Sequence, residues 1–247
     1  MAAQTDWARE LWRGFKAHFW LKMFCAWLLA LGFFPCYFLL LKAPLWPVTW
    51  MPVTAPDRWI GFWPGALWLY VSLWVYVPLA PGLLTDRREL ADYYRAMVAL
   101  SLSGLAVFLL WPTASPRPQI DWMQHPPFGP IIAADDVGNA LPSLHAAFAV
   151  FSAIWLDRLL RRIGAPLWPR IANACWGLGI LYSPIATRQH VAVDIAAASP
   201  FGWLAALPHA PLLHSLPPVF GHPATPHLPV PAPPRPPPRP PPPLPPP

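Results

Sequence analysis

Hydrophobic positions along this chain form long runs, and the charged positions lie between the runs. Five runs contain no acidic, lysine or arginine side chain: residues 23–41, 59–84, 96–116, 137–156 and 171–187. A sixth run, residues 191–207, contains a single acid, Asp194. A helix needs about 20 apolar residues to cross a bilayer. The pattern therefore predicts an all-α, polytopic membrane helix bundle with six transmembrane spans within residues 23–207, of which the sixth is interrupted by Pro200.

Composition supports a membrane protein. The chain is 55% hydrophobic and 11% charged, whereas soluble domains carry about 25% charged residues. A soluble globular domain is excluded because so few charged side chains are present to face water.

Basic residues predict the orientation of the spans. If the N-terminus is cytoplasmic, 13 of the 17 Lys and Arg residues lie on the cytoplasmic side, and four lie outside: Lys42, Arg58, Arg117 and Arg188. This asymmetry follows the positive-inside rule. It predicts a multi-pass protein of the cell (inner) membrane with both termini in the cytoplasm. The net charge of +6 then reflects topology, so no nucleic-acid partner is expected.

Two segments flank the predicted bundle. Residues 1–22 are polar, basic and amphipathic, which indicates a cytoplasmic lead-in and no cleavable signal peptide. Residues 208–247 hold 20 of the 39 prolines, which is typical of a disordered or polyproline II tail. The tail either docks a Pro-motif-binding partner or is an extension without a binding role.

The topology brings two histidines to one face. With the N-terminus inside, the fourth span begins outside near Pro142, and the turn 187–189 before the sixth span is also outside. His145 and His190 therefore begin two different spans on the extracytoplasmic face. Arg117 and Arg188 are expected on that same face.

The residues around His145 are suited to binding phosphate. Ser143 is a favourable N-cap, so His145 is expected in the first helical turn. The unpaired backbone N–H groups and the positive end of the helix dipole attract anions there.

His190 precedes Asp194 by four residues, which predicts that both lie on one helical face. The carboxylate can accept a hydrogen bond from one ring nitrogen and leave the other nitrogen available as a nucleophile. Arg188 adds a planar donor suited to phosphate oxygens. An acid within a span is costly and typically marks a functional site.

These residues resemble motifs of the type 2 phosphatidic acid phosphatase superfamily, closest to its inositol-phosphotransferase-like branch. The family has Lys-x6-Arg-Pro, Pro-Ser-x-His and Ser-Arg-x5-His-x3-Asp motifs. Residues 142–145 (Pro-Ser-Leu-His) match the second motif completely. Arg117-Pro118 matches the end of the first motif, and Ser183, His190 and Asp194 match the third. In two places the chain departs from the family, because Leu110 stands at the lysine position and Pro184 at the third-motif arginine position.

The resemblance implies a role for each matched residue. His190 is expected to attack phosphorus, Asp194 to orient His190, and His145 to protonate the leaving oxygen. Arg117, Arg188 and Ser143 are expected to bind the phosphoryl oxygens. No cofactor and no metal are implied; Asp135 and Asp136 are interpreted as a solvated loop edge.

The predicted function is a lipid-phosphate phosphatase acting at the extracytoplasmic face on a membrane lipid phosphate, through a phosphohistidine intermediate. Three alternatives remain open at this point. The first is a lipid headgroup phosphotransferase, the second a transporter that uses His–Asp pairs as a proton relay, and the third a non-enzymatic membrane protein.

Overall fold

The computed structural model describes residues 3–117, 120–129 and 138–207. The predicted Pro-rich tail, Pro118, Asp135 and Asp136 lie outside the described residues. Within the described part the chain is mainly helical, as the apolar runs predict. The helices are α1 (Ala3–Lys16), α2 (Phe19–Lys42), α3 (Ala55–Trp59), α4 (Leu67–Val71), α5 (Leu73–Leu83), α6 (Arg87–Leu110), α7 (Leu144–Arg162), α8 (Leu167–Ala186) and α9 (Ala192–Ala206).

Local capping residues set several helix boundaries. Asp86 begins α6 by accepting hydrogen bonds from the backbone N–H groups of Arg88 and Glu89 at 2.7 and 3.0 Å. Ser143 begins α7 by accepting from Ala146 N at 3.3 Å, which confirms the predicted N-cap. Just past the end of α7, Gly164 adopts a φ of +67°, a left-handed conformation that glycine reaches without a Cβ clash.

Three stretches are long and apolar enough to cross a membrane: Phe19–Lys42, Pro64–Leu83 and Arg87–Leu110. The second combines the 3₁₀ turn Pro64–Ala66 with α4 and α5. The predicted fourth to sixth runs correspond to α7, α8 and the shorter apolar helix α9. Helix α9 continues through Pro200.

The core lies between α5, α6, α7 and α9, where Tyr76, Tyr93, Phe151 and Trp155 are buried. Helix α7 packs along α9. At their crossing a Cβ on Gly202 would lie only 2.4 Å from the carbonyl oxygen of Ala147. A small residue is therefore required for the two backbones to approach, and this close packing positions the two helix starts next to each other.

A small layer of extended chain covers the end of the bundle where α7 and α9 begin. Strand β1 (Thr49–Trp50) pairs in parallel with β2 (Thr113–Ala114). The Thr113 side chain accepts a hydrogen bond from Leu141 N at 2.8 Å. These bonds hold the segment after α6 beside the segment before α7.

Candidate functional site

His190 and Asp194 lie at the start of α9. His190 Nδ1 is 3.3 Å from Asp194 Oδ2, and the side chains of His190 and Asp194 are 12% and 0% exposed. The prediction that both lie on one helical face is wrong in detail, because α9 begins at Ala192 and His190 precedes its N-cap, Val191. Asp194 folds back to the N-terminus and accepts from Val191 N at 3.1 Å. The contact therefore arises from helix capping.

Asp194 Oδ2 has a third donor that the sequence did not indicate. Ser115, which follows β2, donates its hydroxyl to this oxygen at 2.5 Å, and both side chains are buried. Asp194 Oδ1 is buried without a hydrogen-bond partner among the described residues. A carboxylate with one oxygen receiving three donors is held in a fixed orientation.

His145 lies in the first turn of α7, as predicted, and its ring is held differently from that of His190. Its ring stacks on Tyr70 of α4, with ring centroids 4.2 Å apart and an interplanar angle of 14°. Its Nε2 is buried and has no hydrogen-bond partner within the described part of the chain. The plane of the imidazole is therefore fixed by packing, while this nitrogen is left unbonded.

The two helix starts adjoin each other. Ser143 N donates to the carbonyl oxygen of Asp194 at 3.2 Å, which joins the residue before α7 to the first turn of α9. The structure therefore brings together the four residues His145, His190, Asp194 and Ser143. The Ser143 hydroxyl is buried and engaged in capping α7, and its phosphate-binding role stays a prediction.

The two predicted phosphate-binding arginines flank this cluster. Arg117 Nη2 donates to Gln189 Oε1 at 3.0 Å. Gln189 directly precedes His190 in the chain. Arg188 has a φ of +59°, and its Nη1 and Nη2 donate to the carbonyl oxygens of Asp57 and Ile60 at 2.7 and 2.9 Å. The guanidinium of Arg188 therefore holds backbone groups of the segment around α3.

The positions where the family has further basic residues are occupied by apolar side chains. Leu110 is 72% exposed at the end of α6. Pro184 is buried in α8, where its carbonyl oxygen accepts from Gln189 N and His190 N at 2.9 and 3.1 Å. Pro184 thus shapes the turn that carries His190.

Three residues of the site were not predicted from the sequence: Ser115, Tyr70 and Asp57. Each of them contacts the start of α7 or α9 from an element that is distant in sequence. No local spacing of residues therefore predicts these contacts. The only available hint for Ser115 is its position two residues before Arg117, next to the first motif.

Part of the chain matches a known protein family. A model of the PAP2 superfamily matches residues 93–214. The chain belongs to this superfamily. Neither a curated protein nor a solved structure gives a significant match to it.

The PAP2 match confirms the superfamily that the motifs indicate. It includes Arg117, His145, Arg188, His190 and Asp194. Asp57 and Tyr70 lie before its first residue, so these two contacts to the site come from the part of the chain that the PAP2 model does not match.

Proposed function

We propose that this PAP2-superfamily protein is an integral membrane enzyme that cleaves a lipid phosphate ester through a phosphohistidine on His190. The membership makes it a phosphatase- or phosphotransferase-type membrane enzyme. The observation that carries the specific proposal is the Asp194–His190 contact of 3.3 Å, with His145 at the adjoining helix start. A carboxylate that accepts from Nδ1 leaves Nε2 of His190 with its lone pair available for attack.

The first chemical step forms the phosphoenzyme. His190 Nε2 forms a bond to phosphorus as the bond from phosphorus to the ester oxygen breaks. His145 donates its proton to the departing oxygen, so that the lipid product leaves as an alcohol. The unbonded Nε2 of His145 is suited to this transfer because no protein hydrogen bond has to be broken.

The second step regenerates the enzyme. His145, now neutral, accepts a proton from water as the water oxygen bonds to phosphorus. The nitrogen–phosphorus bond breaks, inorganic phosphate is released, and His145 is again protonated. Asp194 stabilises the positive charge on His190 during both steps.

The proposed setting is a six-span bundle with the site at the extracytoplasmic face. Its spans are α2, the stretch Pro64–Leu83, α6, α7, α8 and α9. The asymmetry of basic residues supports this setting, together with the common end of the bundle from which α7 and α9 begin.

A second candidate is transfer of a phosphorylated headgroup from a lipid phosphodiester to an alcohol. The charge of the site favours this transfer reaction. Leu110 and Pro184 remove two cations of the family pattern, and Arg188 already donates to two carbonyl oxygens. A phosphomonoester carries about two negative charges at pH 7, whereas a diester carries a single one and needs fewer cations.

The deciding experiment measures turnover of a panel of lipid phosphomonoesters and phosphodiesters by purified protein in lipid nanodiscs, with and without alcohol acceptors. Phosphate release that His190→Ala abolishes would support the phosphatase. Consumption of a diester only when an acceptor is present would support the transferase. His125→Ala is the matched control, because His125 packs against Phe62 in the outer loop. No turnover of any ester by folded wild type contradicts both candidates.

A further inference from the structure

Asp57 is a buried acid in the short helix α3, far in sequence from the site residues. Asp57 is only 2% exposed. It lies outside the PAP2 match, which begins at residue 93. A buried acid requires hydrogen bonds to offset the loss of hydration, and the partners of Asp57 indicate what it does.

Asp57 contacts the chain on both sides of His190. Its Oδ1 accepts from the backbone N–H of Ala192 at 2.7 Å, across 135 residues of sequence. Its carbonyl oxygen accepts from Arg188 Nη1 at 2.7 Å. Arg188 and Ala192 each lie two residues from His190, so one residue of α3 holds both ends of the five-residue segment that carries the nucleophile.

Asp57 is itself held in place. Its Oδ2 accepts from Thr54 N at 2.7 Å and from Thr54 Oγ1 at 2.6 Å. Both carboxylate oxygens are therefore bonded, which fixes the rotamer. The negative charge also lies at the N-terminus of α9, where the helix dipole stabilises it.

We propose that Asp57 is a positioning residue for His190, which fixes the direction of the nucleophile by clamping Arg188 and Ala192. The clamp itself follows from the hydrogen bonds of Asp57, and its effect on turnover rests on the function proposed above. Asp194 orients the imidazole ring, and Asp57 holds the backbone from which that ring projects. Displacement of a reacting group by about 1 Å can lower a rate about 100-fold, so loss of the clamp should affect kcat.

The test compares Asp57→Ala with Asp121→Ala in the full chain in nanodiscs. Asp121 is a matched control because it also caps a short helix of an outer loop, accepting from Met123 N, without contacting the site. Hydrogen exchange read by mass spectrometry over residues 187–194 reports the clamp independently of activity. Asp57→Ala should accelerate exchange there at least tenfold and lower kcat about 10- to 100-fold, with KM changed less than threefold. Asp121→Ala should leave both unchanged.

Thr54→Val provides a milder variant should Asp57→Ala fold poorly. It removes only the hydroxyl bond to Asp57 Oδ2, and kcat should fall about three- to fivefold. Unchanged exchange over 187–194 in both variants would overturn the clamp. Faster exchange with unchanged kcat would overturn the positioning role. Accelerated exchange in a protein whose wild type turns over no ester would support the clamp, while removing the catalytic role together with the proposed function.

Discussion

Two helices of this protein begin next to a histidine at the same end of the bundle, and different forces hold the two rings. At the start of α9, His190 contacts a buried carboxylate that also accepts hydrogen bonds from Ser115 and Val191. At the start of α7, His145 stacks on an aromatic ring, and its Nε2 is buried without a hydrogen bond among the described residues. In the sequence the two segments look alike, since each is a histidine that leads an apolar run.

The difference matches the two roles proposed for the histidines. A nucleophile must present one defined nitrogen, and a carboxylate on the other nitrogen provides this by fixing the tautomer. A general acid must exchange its proton with substrate and water, so a strong bond to the protein would hinder it. Stacking fixes the plane of the ring and leaves Nε2 without a hydrogen bond among the described residues.

The largest expected effect is at the carboxylate. Asp194→Asn keeps the shape of the side chain but removes the charge and allows the wrong tautomer of His190, so kcat should fall about 10³- to 10⁴-fold. Ester turnover by purified protein measures it.

Asp157→Asn is the control for that variant, because Asp157 pairs with Arg161 and Arg170 on the same bundle away from the histidines. A loss below tenfold in Asp194→Asn would show that His190 does not depend on the carboxylate. The contrast between the two helix starts would then be structural only.

A smaller effect is expected from the additional donor to Asp194. Ser115→Ala removes a hydrogen bond to a charged group, a kind of bond that contributes about 1.5–3 kcal/mol. Since two donors to Asp194 Oδ2 remain, we expect kcat to fall about tenfold with little change in KM.

The matched control is Ser101→Ala, which removes another buried hydroxyl, bonded to Met97 O within α6. If both serine variants lower kcat equally, the effect of Ser115 is one of general stability and not of orientation of Asp194.

The smallest effect should come from the stacked ring at the start of α7. Aromatic pairs contribute about 0.5–1.5 kcal/mol beyond the burial of their surface, so Tyr70→Leu should lower kcat about two- to tenfold. Tyr70→Phe keeps the ring and should stay closer to wild type. Steady-state kinetics measure both variants.

Tyr182→Leu serves as a control because Tyr182 packs against Trp63 and not against either histidine. A Tyr70→Leu variant as active as Tyr182→Leu would mean that stacking does not hold His145 in a productive orientation.

The local part of this architecture could be predicted from the sequence. Apolar runs give the helices, because the length of a continuous apolar run is a local property of the sequence. Ser143 predicts the start of α7, because a cap bonds to an N–H only three residues away. A count of the predicted spans was sufficient to place His145 and His190 at the same end of the bundle.

The tertiary structure alone determines the contacts that hold the site residues in place. Ser115 reaches Asp194 across 79 residues and Asp57 reaches Ala192 across 135, and Tyr70 comes from a different helix. Arg188 lies two residues before His190, but the path of α3 determines that it bonds two carbonyl oxygens. Such contacts depend on how the loops and close-packed helices bring distant elements together. No spacing along the chain encodes them, because a hydrogen bond between distant elements constrains positions in space and not intervals in sequence.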